Sequence, residues 1–291
     1  MNQRATVIVA LLALQASVVA LGVVSVYSGL HAETFGHHSA TSTYVGPHLV
    51  ENGPHQVYDV GAAPKLYVDI GYADLTILTG NPSQIDVGLS ASDGIFDDKR
   101  AIVARASGDT VHISKVGEEG WSSGDDRMVT VIVPPETQVT VASGGDIKVT
   151  GLRAAASIDS VGDGSIAIQD YDAPRLHASS RGSIELQQVA ATHIDVTSRD
   201  DHIDGSALDV RDGTILGDDH VTLGFTADSN TLVNALTSDG KINLSGFPDG
   251  ASLSSTNNED SSAQTVRVGS GSGHLDVHSN DGNISLSQEG N

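Results

Sequence analysis

The sequence predicts an all-β fold. It is a β-solenoid built from coils of about 18–19 residues with two strands each, preceded by an antiparallel β section and an N-terminal transmembrane helix. Three observations predict it. The first is a recurring cassette, in which a turn of Ser, Gly and Asp leads into an apolar–polar–apolar triplet. Ile147-Lys148-Val149 follows Ser143-Gly144-Gly145-Asp146, and the pattern returns at Ile166-Ala167-Ile168, Ile184-Glu185-Leu186, Ile203-Asp204, Val221-Thr222-Leu223, Ile242-Asn243-Leu244 and Ile284-Ser285-Leu286. The first six anchors lie 19, 18, 19, 18 and 21 residues apart. A fixed period near 20 with one strand core per copy marks a solenoid. The second observation is composition: 32 Gly and 4% aromatic residues suit short strands joined by tight turns. The third is an apolar run at the N-terminus.

That run spans Ala5 to about Tyr27, interrupted only by Thr6, Gln15, Ser17 and Ser25, and Arg4 precedes it. At ~1.5 Å per residue it makes a helix about 35 Å long, enough to cross a hydrocarbon core of about 30 Å. A cleaved signal peptide has an apolar region of roughly 7–15 residues. The longer run here reads as an uncleaved signal anchor over residues 1–32, with cleavage after Ala32 as the alternative. In both readings the positive end stays in the cytoplasm and the rest lies outside, in the periplasm or at the cell surface. Residues 33–56 carry Gly36, Pro47, Asn52-Gly53-Pro54 and a Ser/Thr tract, which break regular structure and read as a flexible linker. His37, His38, His48 and His55 lie there as solvated linker histidines rather than as a metal site of fixed geometry.

Residues 57–135 hold the alternating stretches Leu66–Ile70, Leu75–Leu78, Asp86–Leu89, Ala101–Ala104, Thr110–Ser114 and Met128–Val133, separated by turn signals. Gly117–Arg127, with the single tryptophan Trp121, reads as an exposed acidic loop. Pro134-Pro135 ends the last strand, because proline cannot donate to a ladder. It borders the solenoid repeats of residues 136–291. There a second strand joins each cassette: Val139–Val141, Ala156–Ile158, Leu176–Ala178, Ile194–Val196 and Leu232–Ala235. Alternation turns the anchors inward and Lys148, Ala167, Glu185, Asp204, Thr222, Asn243 and Ser285 outward. Coils stacked in chain order bury their inner rows, at roughly 1.5–3 kcal/mol per buried Ile, Val or Leu. Gly and Asx at the corners supply the positive φ of tight turns. Asn257–Ser262 is a polar loop.

In this order along the chain, Lys65–Ile77, the Val131–Pro134 strand end, Val141–Gly151 and Val277–Leu286 resemble the bacterial putative adhesins of the DUF4097 type, relatives of the head GIN adhesin-like domains. The resemblance covers about Val57 to Leu286. It implies a β-solenoid envelope protein, often membrane-anchored, with no established enzymatic activity and no catalytic motif to carry over. Asp200-Asp201 and Asp218-Asp219 stand where glycine is usual in that pattern.

The charge balance narrows the partners. There are 15 Lys and Arg against 37 Asp and Glu, a net charge of −22. Nucleic acid is excluded, since polyphosphate binding needs clustered cations. With no Cys there is neither a disulfide nor a thiolate metal site. The chain is expected to need no cofactor. Its expected contacts are the membrane, through the N-terminal helix, and a surface protein or glycan.

Asp200, Asp201, Asp218 and Asp219 are the candidate Ca²⁺ ligands. The two pairs are one coil apart, and stacked like charges need a cation or a raised carboxyl pKa. His202 and His220 sit beside them, where an acid/base pair could be assembled. Gly162–Asp170 faintly resembles one copy of a calcium-binding nonapeptide, without the tandem such sites require. The function expected is a non-enzymatic, adhesin-like surface interaction or structural module. The alternatives are a β-helix that processes polysaccharide and an envelope-stress accessory protein acting through a protein partner. Arg153, Arg175, Arg181, Arg199 and Arg211 fall at different repeat phases, which suits an acidic-polysaccharide enzyme poorly.

Overall fold

The fold is that of a computed structural model, which describes residues 55–91, 101–116, 127–257 and 261–289. The N-terminal segment, the linker up to Pro54, the loop with Trp121 and residues 258–260 of the polar loop lie outside the described residues. Among the described residues there are twenty strands and no helix, so none long and apolar enough to cross a membrane.

Alternating apolar residues lay the strands on two faces, A and B, of one solenoid. A regular coil runs up an A-face strand, turns a Ser/Gly/Asp corner and continues along the B face. Strand β8 (Gln138–Ser143) and strand β9 (Ile147–Thr150) make one such coil. Strand β10 (Ala156–Ser160) pairs parallel with β8 and leads into strand β11 (Ile166–Ser180). In the centre, β11, strand β12 (Ile184–Ser198) and strand β13 (Ile203–Gly217) are continuous 15-residue strands. Each starts on the B face and bends onto the A face of the next coil. Ile166 stands opposite Ile184 and Ile184 opposite Ile203, so the anchors stack in register.

The bend replaces the second corner expected from the sequence. It is made at Asp170, Gln188 and Ala207, which have φ of 52°, 54° and 51°, in line with Gly151 at φ 86°. The Ser/Gly corners follow a different rule. Gly164 has no left-handed φ, but a Cβ there would lie 2.1 Å from Gly145 O of the neighbouring corner. Glycine is needed at these corners for close stacking, rather than for the positive φ expected.

The inward anchors form one apolar core running from Leu66 to Leu286. Beside it runs a row of buried hydroxyls; apart from Ser160, whose buried Oγ has no partner, they reach the corner of the coil before them in space. Ser143 Oγ donates to Ala73 O at 2.7 Å, Ser180 Oγ to Gly164 O at 2.6 Å and Ser198 Oγ to Gly182 O at 2.9 Å. Ser279 Oγ reaches Asp219 O at 2.5 Å and Thr237 Oγ1 reaches Gly282 O at 2.7 Å. These hydroxyls satisfy inward carbonyls that would otherwise be stranded beside the core. Gly217 holds this position in β13. Ser198 Oγ also lies 2.9 Å from Asp201 O, the carbonyl that a hydroxyl at 217 would serve.

Both ends depart from chain order. Strand β2 (Lys65–Asp69) pairs parallel with β8 on one side and with strand β6 (Thr110–Val116) on the other. Strand β3 (Asp74–Thr79) likewise lies between β9 and strand β7 (Arg127–Val133). Residues 57–135, expected as an antiparallel section, therefore supply two parallel coils of the same solenoid. Antiparallel pairing is confined to strands that close the end: β1 (His55–Asp59) on β4 (Gln84–Ala91), β4 on β7, and β5 (Ala101–Ser107) on β6.

At the other end, strand β14 (Val221–Phe225) does not meet the Ile242 coil as chain order requires. Strands β19 (Gly273–Ser279) and β20 (Ile284–Gln288) enter between them. β20 pairs with β14 on one side and with strand β16 (Ile242–Ser245) on the other. β19 likewise lies between β13 and strand β15 (Thr231–Thr237). The antiparallel strands β18 (Ser262–Val268) and β17 (Ser252–Asn257) then close the A face.

Candidate interaction surface

Two sets of outward residues carry the polar chemistry of the solenoid. The first lies on the corners where Asp-Asp replaces glycine. Ile203 N donates to His220 O at 2.9 Å, so the corners 199–202 and 218–220 lie on adjacent coils, as the 18-residue spacing implies. Their carboxylates are engaged locally. Asp201 Oδ1 accepts the His202 backbone N–H at 2.8 Å and lies 2.6 Å from His202 Nδ1. The backbone N–H, then the ring contact, hold the Asp201 carboxyl below the usual aspartate range. His202 Nε2 is 3.5 Å from Asp204 Oδ2. Asp219 Oδ1 contacts His220 Nδ1, and Asp218 Oδ1 accepts from Asn280 Nδ2 at 2.8 Å. Asp200 is exposed.

Among the described residues, no three His, Asp or Glu side chains gather to hold a metal ion. His202 and His220 are neighbours in the stack, but each ring is turned to the aspartate just before it. The nonapeptide-like stretch Gly162–Asp170 is a corner followed by the start of β11. Ser165 N there donates to Asp146 Oδ1 at 2.8 Å, a contact between corners.

The second set lies on the A face and was not singled out from the sequence. His193 Nε2 is 3.0 Å from Asp195 Oδ2, and His274 Nε2 is 3.1 Å from Asp276 Oδ1. Asn234 Nδ2 donates to Asp276 Oδ1 at 3.2 Å from the adjoining coil. His177 Nε2 lies 3.4 Å from Asp159 Oδ1. Between the two histidines stands Asp212, which registers with His193 on one side and His274 on the other and accepts the His274 N–H at 3.0 Å. Towards the N-terminal end the rings of Tyr67 and His112 stack with centroids 5.0 Å apart and planes 10° apart. The His-x-Asp spacing is a readable signal, since residues two apart on a strand share a face. The Tyr67–His112 pair is not readable that way, because it depends on β2 and β6 lying side by side.

This geometry defines a repeat protein: a β-solenoid whose regular faces present rows of polar side chains at about 4.8 Å intervals. The chain belongs to the Toastrack DUF4097 family, whose profile matches residues 64–290. Among solved structures it is similar to a putative adhesin from Bacteroides fragilis, at 13% identity and a TM-score of 0.51. That match covers 82% of this chain and 98% of the other. At this identity the likeness establishes the fold. A putative adhesin from Parabacteroides distasonis matches at 12% identity and a TM-score of 0.41, covering 82% and 98% of the two chains. A putative cell adhesion protein from Clostridium sporogenes matches at 11% identity and a TM-score of 0.34, covering 82% and 100%. No curated protein matches the chain.

Proposed function

We propose that the chain is a non-enzymatic, adhesin-like surface interaction module, tethered in the bacterial membrane through Ala5–Tyr27 with its solenoid outside the cytoplasm. The observation that carries this reading is the regular outward face. Its histidines His177, His193 and His274 each rest on a carboxylate, on strands fixed by a continuous core. Such a surface is stiff and repetitive, which suits contact with an extended partner such as a surface protein or glycan. The adhesin names of the similar structures agree with it. The apolar N-terminal run followed by a Gly/Pro/Ser-containing spacer supports the tether.

The test is display of the full-length chain on a non-adherent bacterium, with attachment to protein-coated and glycan-coated surfaces scored against an empty strain. Mass spectrometry of the N-terminus in isolated membranes reports whether residues 1–32 are retained. Attachment by cells carrying the intact chain is expected. Depolymerisation of a uronate polymer by the purified protein would instead establish the polysaccharide-processing reading.

A further inference from the structure

Four strands end the two faces of the solenoid, and they are not equivalent. β5 and β17 end the A face and β1 ends the B face at the N-terminal end; each pairs antiparallel with its neighbour. β16 ends the B face at the other end. Among the described residues it is an ordinary coil strand that pairs parallel with β20 on one side and with no strand on the other. Ile284 N donates to Lys241 O at 2.9 Å. Alternation along a parallel ladder therefore turns the N–H and C=O of Ile242 and Leu244 towards the open side. The side chains show the same lack of cover. Ile284 and Leu286, one coil inward, are buried, whereas Ile242, Leu244 and the nearby Phe247 are half-buried against the end of the core. Around this edge Asp239, Asp249, Asp281 and Glu289 are exposed, and Lys241 precedes β16.

We propose that the open side of β16 is a docking edge for an extended basic segment of another protein, with apolar side chains at alternate positions. The proposal rests on the reading of this chain as an interaction module and assigns that interaction a place and a chemistry. An added strand pairs with the free backbone groups of Ile242 and Leu244. Its alternate apolar side chains cover Ile242, Leu244 and Phe247. Its basic side chains point the other way, beside the acidic rim. A second copy of this chain suits the edge poorly, because each copy carries a net charge of −22 and the same acidic rim.

The experiment uses the full-length chain in lipid nanodiscs and a fluorescent, end-blocked peptide of alternating lysine and valine. A peptide of alternating glutamate and valine is the control. Fluorescence anisotropy is expected to show binding of the lysine peptide alone, weakening with salt. Hydrogen exchange is expected to slow at Ile242–Ser245. Leu244→Pro removes an N–H that faces the open side and no bond to β20, and it is expected to weaken binding at least about tenfold. If that variant melts well below wild type, the double variant Asp239→Lys, Asp249→Lys decides. It leaves the strand unchanged and is expected to weaken binding about fivefold or more.

Equal binding of both peptides overturns the proposal, as does protection confined to the A face. A concentration-dependent dimer in sedimentation that Leu244→Pro abolishes overturns it in favour of self-association. Surface attachment that survives Leu244→Pro removes the docking edge but leaves the interaction-module reading standing. Absence of attachment by wild type removes that reading itself.

Discussion

Replacing Ser279 with alanine isolates the contribution of the buried hydroxyl row. Ser279 is 2% exposed, and alanine occupies the same space apart from the oxygen. Its Oγ donates to Asp219 O at 2.5 Å, lies 3.0 Å from Gly282 O, and accepts the Gly282 N–H at 3.0 Å. The substitution removes the donor that serves these inward carbonyls and the acceptor for one buried N–H. Each buried group left without a partner costs about 1–3 kcal/mol, so the expected loss is roughly 2–4 kcal/mol, with partial hydration of the corner holding it below the sum of the extremes. For a domain of this size that corresponds to a fall in melting temperature of about 5–15 °C. The control is Ser272→Ala, whose exposed hydroxyl lies 3.3 Å from Asn230 O, and its effect is expected within about 0.5 kcal/mol. Urea and thermal melts of both variants provide the measurement, with hydrogen exchange at Gly282 as a local probe. If Ser279→Ala melts with Ser272→Ala and Gly282 stays protected, the hydroxyl row does not hold the corners and the reasoning fails.

Gly164→Ala places a Cβ against Gly145 O and is expected to destabilise by about 2 kcal/mol or more, as overpacking against rigid backbone does; a melt unchanged from wild type would show that the corners can spread freely. Tyr171 is buried, and its hydroxyl donates to Arg175 O and lies 3.2 Å from Ala154 O. Burial pushes its pKa well above that of a free tyrosine. A raised folded-state pKa means that its contribution to stability is complete below about pH 10 and is lost as the pH climbs above that. Tyr171→Phe is expected to lower stability by about 1–2 kcal/mol at neutral pH and to flatten the alkaline decline of the urea midpoint. An unchanged alkaline slope would assign that decline to other groups.

The inward rows were legible because period-2 alternation fixes which face is buried whatever the partner strand. Ile147, Ile166, Ile184, Ile203 and Val221 all stand where their spacing places them. The order of the coils at the two ends was not legible. An inner row such as Ile242/Leu244 packs equally well on Val221/Leu223 or on Ile284/Leu286, and only the 21-residue step from Val221 to Ile242 marks the irregularity. β17, with five polar residues in six, carries no apolar alternation to announce a strand. The glycine corners were legible as corners but not for their physical cause, since close approach between Gly164 and Gly145 exists only once coils are stacked. Of the polar surface, His202 and His220 could be placed beside their aspartates. His193 and His274 were within reach of the same reasoning through their spacing of two.

The entry of β19 and β20 between two earlier coils sets a timetable. A chain synthesised from its N-terminus can stack β8 through β14 as each coil appears, because every contact is with the coil just made. The coil of β15 and β16 has no such neighbour when it emerges, for the strands that join it to β13 and β14 come about thirty to forty residues later. That end of the molecule can close only after Gln288 is available, and its non-local pairing makes it the slow step of assembly. β16, which among the described residues keeps one unpaired side, belongs to the coil that must wait longest for its neighbour.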